Sequence, residues 1–146
     1  MPLSRDFLKT WGESWWHHAP RELVALYESG VPSPERTEIV VMQKVLADRV
    51  NQGYHEVANV VIEKVDGCPV RSLSHLVAMV DRENANAYVR FDTSDGEQIV
   101  LDRREVRERQ AAVLERFGVP HDRAPQLRLP VPAPFQPAAL APLAAG

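Results

Sequence analysis

The side chains that could carry out chemistry are scattered along this sequence. Cys68 is its single thiol. A nucleophilic thiol needs a base and positive surroundings. The spacing fixes neither His55 nor His75 beside it, so the simpler reading is a buried structural cysteine. His17 and His18 are adjacent. On a helix their rings diverge instead of forming the i, i+4 pair of a helical metal site. His121 stands alone. The chain has no Gly-x-Ser-x-Gly elbow, no phosphate-binding loop and no dinucleotide fingerprint. These patterns predict no catalytic residue, no metal site and no cofactor.

Docking chemistry is better represented. Trp11, Trp15 and Trp16 are all the tryptophans of the chain, gathered within six positions. On a helix Trp11 and Trp15 share a face, while Trp16 points about 100° away. That arc is wide for one thin helix to bury, and tryptophan is a strong interface anchor. The three are read as partner-binding residues, with plain core packing as the alternative. Phe135, Leu140 and Leu143 form a second set of apolar anchors near the C-terminus. Arg103, Arg104 and Arg107 are a third set, able to contact the phosphates of a nucleic acid. With Arg109 and Arg116 they make an arginine-rich helix, and Glu105, Glu108 and Glu115 lie between its arginines. Arg104 with Glu108, and Glu105 with Arg109, stand at i, i+4. That pattern fits a solvated helix laced with weak ion pairs better than a phosphate-binding face.

The elements that would position these residues follow from periodicity and punctuation. Ser4 caps a first helix over residues 4–17, which carries the tryptophans. Pro20 opens a second helix to Ser29, with Gly30 as its stop. The spacing of Ile39, Met42, Leu46 and Val50 after Ser33 and Pro34 predicts a third helix, ended by Gly53. The β-branched run from Tyr54 to Val65 predicts a strand buried on both faces, closed by the turn pair Asp66-Gly67. Leu73, Leu76, Val77 and Val80 fit a helix face. Residues 87–92 and 97–102 alternate as a β-hairpin through Ser94-Asp95-Gly96. Asp102 caps an Arg/Glu-rich helix from Arg103 to Phe117, stopped by Gly118 and Pro120. Leu127 to Leu129 could add a last short strand.

Together these elements predict an α+β fold. N-terminal helices lead to a small mixed sheet with a central hairpin, and the Arg/Glu-rich helix packs on that sheet. Residues 1–129 form one globular domain, with 1–30 as a helical N-terminal extension. Residues 130–146 form a Pro/Ala-rich tail of extended character, unable to build a core of its own.

Composition narrows the classes further. The chain has 146 residues and 45% hydrophobic residues, enough for one real core. Its formal net charge of −3 disfavours a dedicated nucleic-acid binder. One cysteine gives no internal disulfide. No signal-peptide pattern opens the chain, and no apolar run reaches the roughly 18 residues needed to cross a bilayer. The expected location is the cytoplasm, without membrane insertion.

The order of elements from Asn86 to Arg123 carries a resemblance. A strand, a turn, a second strand ending Ile99-Val100-Leu101-Asp102, a charged helix and then Phe117-Gly118-Val119-Pro120 follow one another. With Glu35 or Glu38 before them and the strand Val57 to Ile62, residues 35–123 resemble the PD-(D/E)xK, restriction-endonuclease-like superfamily. The matching second strand offers Val100 and Leu101 where that family carries an acid and a polar group, leaving Asp102. The first-strand acid falls near Ala87 or Tyr88. Metal-assisted cleavage needs carboxylates to hold the ion, so the resemblance implies an inactive copy serving as a scaffold.

The function expected on these grounds is non-catalytic. The protein binds another protein through the tryptophan-bearing helix and the tail, as an accessory subunit or an immunity-type inhibitor. The alternative is a nuclease-like, DNA-processing protein built on Glu38, Asp92 and Asp102, which folding would have to bring around one ion.

Overall fold

The computed structural model describes residues 1–30, 32–82 and 86–128. Its helical layer comes first. The Ser4 hydroxyl oxygen accepts from the Phe7 N–H at 3.2 Å and opens α1, Arg5–Leu8. A 3-10 turn, Lys9–Trp11, continues it. Gly12 then adopts φ +100, a conformation that favours glycine, and the chain turns there. The single helix expected over 4–17 is therefore two short ones, the second being α2, Trp15–His18. Pro20 directly precedes α3, Arg21–Ser29, and Leu23 on α3 is fully buried.

Between residues 33 and 53 the structure departs from the expected helix. Ser33 does cap, but only one turn: the Arg36 N–H reaches its backbone oxygen at 3.1 Å and its hydroxyl oxygen at 3.2 Å. The Thr37 and Glu38 N–H groups then donate to the Arg71 carbonyl, which pulls the chain into extended form. β1, Val41–Met42, follows, and a 3-10 turn, Arg49–Asn51, ends the stretch. Local 3.6-residue spacing has lost to long-range pairing, because the β-branched run Ile39-Val40-Val41 suits a doubly buried strand.

The sheet is antiparallel throughout its described strands, where a mixed one was expected, and it curls into a half-barrel. β2, Val60–Val65, pairs with β1 at Val61↔Val41 and Met42↔Val60. β3, Cys68–Pro69, folds back on β2 through Asp66 and Gly67, at φ +50 and +82. Two positive φ angles in a two-residue loop make the turn whose twist matches the strands. β4, Tyr88–Thr93, lies on the other side of β2, and β5, Gln98–Asp102, closes the hairpin with Arg90 opposite Val100. That hairpin stands where the sequence puts it. The Val100 N–H on the outer edge of β5 donates to the Tyr54 hydroxyl at 3.2 Å, so that edge is partly covered.

Two apolar clusters lie on opposite faces of the sheet. Val41 and Val61 face Phe7, Leu8, Trp15 and Leu23. Their neighbours Val40 and Ile62 face Val65, Val70, Met79 and Val89, with α4, Leu73–Asp81, covering them. Alternate side chains of a strand point to opposite faces, so a sheet covered on both sides needs apolar residues at every position. α5, Arg103–Arg116, leaves the end of β5 with the Asp102 carboxylate accepting from the Arg104 and Glu105 N–H groups. Among its residues only Arg103 is buried, so α5 rests on the sheet by its first turn. Pro125–Leu127 form a 3-10 turn in place of the suggested last strand, whose end lies outside the described residues with the whole tail 130–146.

Candidate functional site

The N-terminal segment supplies the outermost strand-like piece of the sheet. Pro2 lies antiparallel to Val40. The Leu3 N–H donates to the Ile39 carbonyl at 2.7 Å, and the Val41 N–H donates to the Met1 carbonyl at 2.8 Å. The backbone groups of Pro2 therefore point away from β1. Proline has no N–H, so this outer edge presents a carbonyl and no donor at that position. The β1 edge is thus filled by the chain itself, and the new edge is blunted.

An apolar hollow of about 320 Å³ lies beneath this edge, lined among others by Met1, Met42, Leu73, Leu76, Phe91 and Leu101. α4 walls it, and the start of α4 is tightly secured. The Ser72 hydroxyl oxygen accepts from the His75 N–H at 3.1 Å, and the Glu38 carboxylate accepts from the Leu73 N–H at 2.9 Å. Arg71 donates to the Pro34 carbonyl at 2.8 Å. His75 Nδ1 accepts from the Arg71 N–H at 3.2 Å. Burial, with Arg71 and Arg82 nearby, lowers the His75 pKa below the usual range.

On the other side of Met1–Leu3 a second, larger cleft of about 620 Å³ runs between α3 and residues 32–39. Leu3, Leu26, Tyr27 and Ile39 line it, together with Arg36. Gly30 forms part of its wall, and no side chain fits there, since a Cβ would lie 2.2 Å from the Leu26 carbonyl oxygen and 3.1 Å from Ile39 Cδ1. One terminal nitrogen of the Arg36 guanidinium is buried and has no hydrogen-bond partner among the described residues.

A third feature ties the 48–51 turn to α5. The Asp48 side chain is 2% exposed, and its carboxylate accepts from Arg109 at 3.0 Å and Arg116 at 3.3 Å. Asp48 and Asn51 cap each other reciprocally. The Arg109 hydrogen bond is the main cause that holds the Asp48 carboxyl down at about 2.

The residues expected to bind a partner are divided. Trp15 is buried and meets Trp16 and Tyr27 edge-on, both at 5.7 Å. Trp11 is half-buried against Phe7 at 5.1 Å. Trp16 is 51% exposed. Phe135, Leu140 and Leu143 lie outside the described residues.

The three arginines do not form one face. Arg103 is turned inward onto the Val80 and Tyr88 carbonyls and Asp66, Arg104 pairs with Glu108 at the surface, and Arg107 is exposed. The acids of the nuclease alternative are also apart in role. Glu38 secures α4, Asp92 accepts from Gln98, and Asp102 caps α5. Among the described residues no group of three or more His, Cys, Asp or Glu could hold a metal ion. Cys68 is exposed on β3 beside its turn, where a buried thiol was expected. Sequence reading missed Arg36 and Asp48. The Asp48-x-x-Asn51 spacing was the available signal for the second, whereas nothing local announces the burial of Arg36.

A family model described as a PDZ domain matches residues 1–126. Over 98 residues the chain is 31% identical to "Protease Do-like 2, chloroplastic" of Arabidopsis thaliana, a match covering 67% of this chain and 16% of that protein. It is 30% identical over 83 residues to "Putative protease Do-like 13" of the same plant, covering 57% of this chain and 17% of the relative. It is 27% identical over 90 residues to that plant's "Putative protease Do-like 3, mitochondrial", covering 62% and 16%. The matched stretch thus spans about a sixth of the length of each relative. These matches overturn the restriction-endonuclease-like resemblance. The strand–hairpin–helix order that carried it is common to unrelated α+β folds, and order alone does not identify a family.

Proposed function

We propose a function from one fact: this chain belongs to the PDZ domain family. PDZ domains are non-catalytic modules that take extended peptides as an added strand on a sheet edge. The protein is read as such a module. It binds a partner polypeptide along the edge formed by Met1–Leu3 and β1, over the apolar hollow walled by α4. The observation that carries this reading is the antiparallel pairing of Met1–Leu3 with Ile39–Val41. It supports an edge on β1 that holds extended chain beside Leu73 and Leu76. Because Pro2 withholds one donor, a strand added outside it makes one backbone bond fewer, and contacts in the hollow have to supply the selectivity.

The named relatives support a finer proposal, in which the module serves in an assembly with a Do-like protease, in the accessory role expected from the sequence. The test is a titration of the full chain with an array of short peptides, mapped by backbone amide shifts. Hits should move Met1–Ser4, Ile39–Met42 and Leu73–Leu76 together. Shifts confined to the outward face of the β4–β5 hairpin, at Tyr88 and Val100, would reject the assignment.

A further inference from the structure

We propose that the cleft between α3 and residues 32–39 is a second binding site, which takes an acidic side chain of a partner polypeptide on Arg36. It stands apart from the hollow beneath the edge and lies on the face of the sheet that carries the helical layer. The central observation is one guanidinium nitrogen of Arg36, withdrawn from solvent with no acceptor among the described residues. A buried charged donor is costly unless it is paired, and the neighbouring carboxylates are committed elsewhere. Glu38 accepts from the Leu73 N–H. The Glu35 carboxyl, held below its usual range chiefly by the Ser33 hydroxyl, forms no ion pair with Arg36. The Glu38 carboxylate also lines the cleft, but among the described residues neither acid pairs with Arg36, and its buried nitrogen stays without an acceptor.

The surroundings define the ligand. Leu3, Leu26, Tyr27 and Ile39 give apolar walls, which lower the local dielectric and strengthen a charge-assisted hydrogen bond. A volume of about 620 Å³ falls within the usual size of ligand clefts. The cleft reaches Ser29 and Gly30 at the C-terminal end of α3, where the helix dipole is negative. With the Glu38 carboxylate and the negative helix end in the same lining, one guanidinium can take a monoanion at most and is poorly matched to a phosphate dianion. At the rim, Tyr27 is 39% exposed and continues through Trp15 to the exposed Trp16. Aromatic side chains at a rim receive apolar residues flanking a charged one. The ligand class is thus an extended segment with a glutamate or aspartate beside an apolar residue.

The test uses the full chain and three probes, read by the Arg36 side-chain Nε–H signal and the amides of Leu26 and Ile39. The first is the doubly blocked peptide acetyl-Gly-Leu-Glu-Trp-Gly-amide. The second is its Gln analogue, and the third is that Gln analogue with a free terminal carboxylate. The Glu peptide should move all three signals and bind about thirtyfold more tightly than the blocked Gln peptide, the usual scale for losing one partner of a buried charge pair. Arg36→Gln should bring the Glu peptide down to the Gln level, with Arg36→Lys in between. Equal binding of the blocked Glu and Gln peptides overturns the proposal, as does a response only to the free terminal carboxylate. If Arg36→Gln fails to fold, the Glu-against-Gln comparison on the unaltered chain decides alone.

Discussion

At the start of α5, Arg103 reaches down between α4 and the hairpin and is met on every side. It donates to the Val80 carbonyl at 2.9 Å, the Tyr88 carbonyl at 3.2 Å and the Asp66 carboxylate at 2.8 Å. Across the sheet, Arg36 lines the cleft beside α3, and one of its guanidinium nitrogens is buried with no acceptor among the described residues. Arg103 is buried whole, whereas Arg36 is half-buried with one guanidinium nitrogen sealed off. One has built its partners from its own backbone and the other has not. The first arrangement joins α4, β4, α5 and the Asp66-Gly67 turn, and it explains why an arginine sits at the first position of α5. The second leaves an interaction open, which is what a binding surface needs and a core avoids.

The largest effect should come from Arg103. Replacing it with Met removes the charge and leaves two carbonyls and Asp66 without their donor. Equilibrium urea unfolding should show a loss of about 3 kcal/mol, the scale for breaking a buried, hydrogen-bonded pair from one side. Arg104→Met at the next residue should leave the midpoint unchanged, because its pair with Glu108 is exposed. Equal effects at both positions would erase the contrast. Asp66→Asn comes next. Asparagine tolerates the positive φ of this turn, but its single oxygen cannot accept from both the Arg90 N–H and the Arg103 guanidinium as the two carboxylate oxygens do. The expected cost is about 2 kcal/mol, since the charge and one of the two accepted hydrogen bonds are lost together.

How much of this was legible from sequence depends on how far each signal reaches. The hairpin, α4 and α5 were readable because their information is local: alternation at Tyr88 to Phe91, the helical spacing of Leu73, Leu76, Val77 and Val80, the Asp102 cap, and the glycine turns. Ile39 to Val50 was not. Its apolar residues happen to fall at helical spacing, yet Val40 and Val41 are drawn to opposite faces of the sheet by Ile62, Val61 and the Met1–Leu3 segment. Apolar residues on both faces of a covered strand leave no period of two to detect. The tryptophans were legible as a cluster, but the turn at Gly12 decides which of them is buried. Arg36 looks like any surface arginine in sequence, and only the approach of α3 makes its environment unusual.

A smaller effect, visible only through pH, concerns Asp48. Its carboxyl is lowered from 3.8 to about 2, first by the Arg109 hydrogen bond, then by the Val50 N–H and by Arg116. A depressed folded-state pKa means that the ionised group stabilises the fold above the unfolded value and ceases to do so as pH falls through the folded value. The difference in urea midpoint between the natural chain and Asp48→Asn should therefore be constant from pH 7 to about 5. It should narrow below about 4 and close near 2. A difference that does not change across this range would show that Asp48 acts as a cap for the 48–51 turn alone, with Arg109 and Arg116 as bystanders.

The smallest expected change is the most informative about the comparison. Arg36→Met keeps the length and the apolar stem of the side chain while deleting the unanswered charge. A core arginine such as Arg103 should be missed when removed in this way, but here there is no native partner to strand. The stem can still cover part of the cleft that Leu26 and Ile39 line. Stability should stay within about 0.5 kcal/mol of the natural chain, and a slight gain is allowed because a buried unpaired donor has been removed. The same substitution should abolish the response to a glutamate-bearing peptide. A loss near that of Arg103→Met would place Arg36 among the groups that hold the fold together. The contrast between a region that answers its own charge and one that leaves it for a partner would then fail.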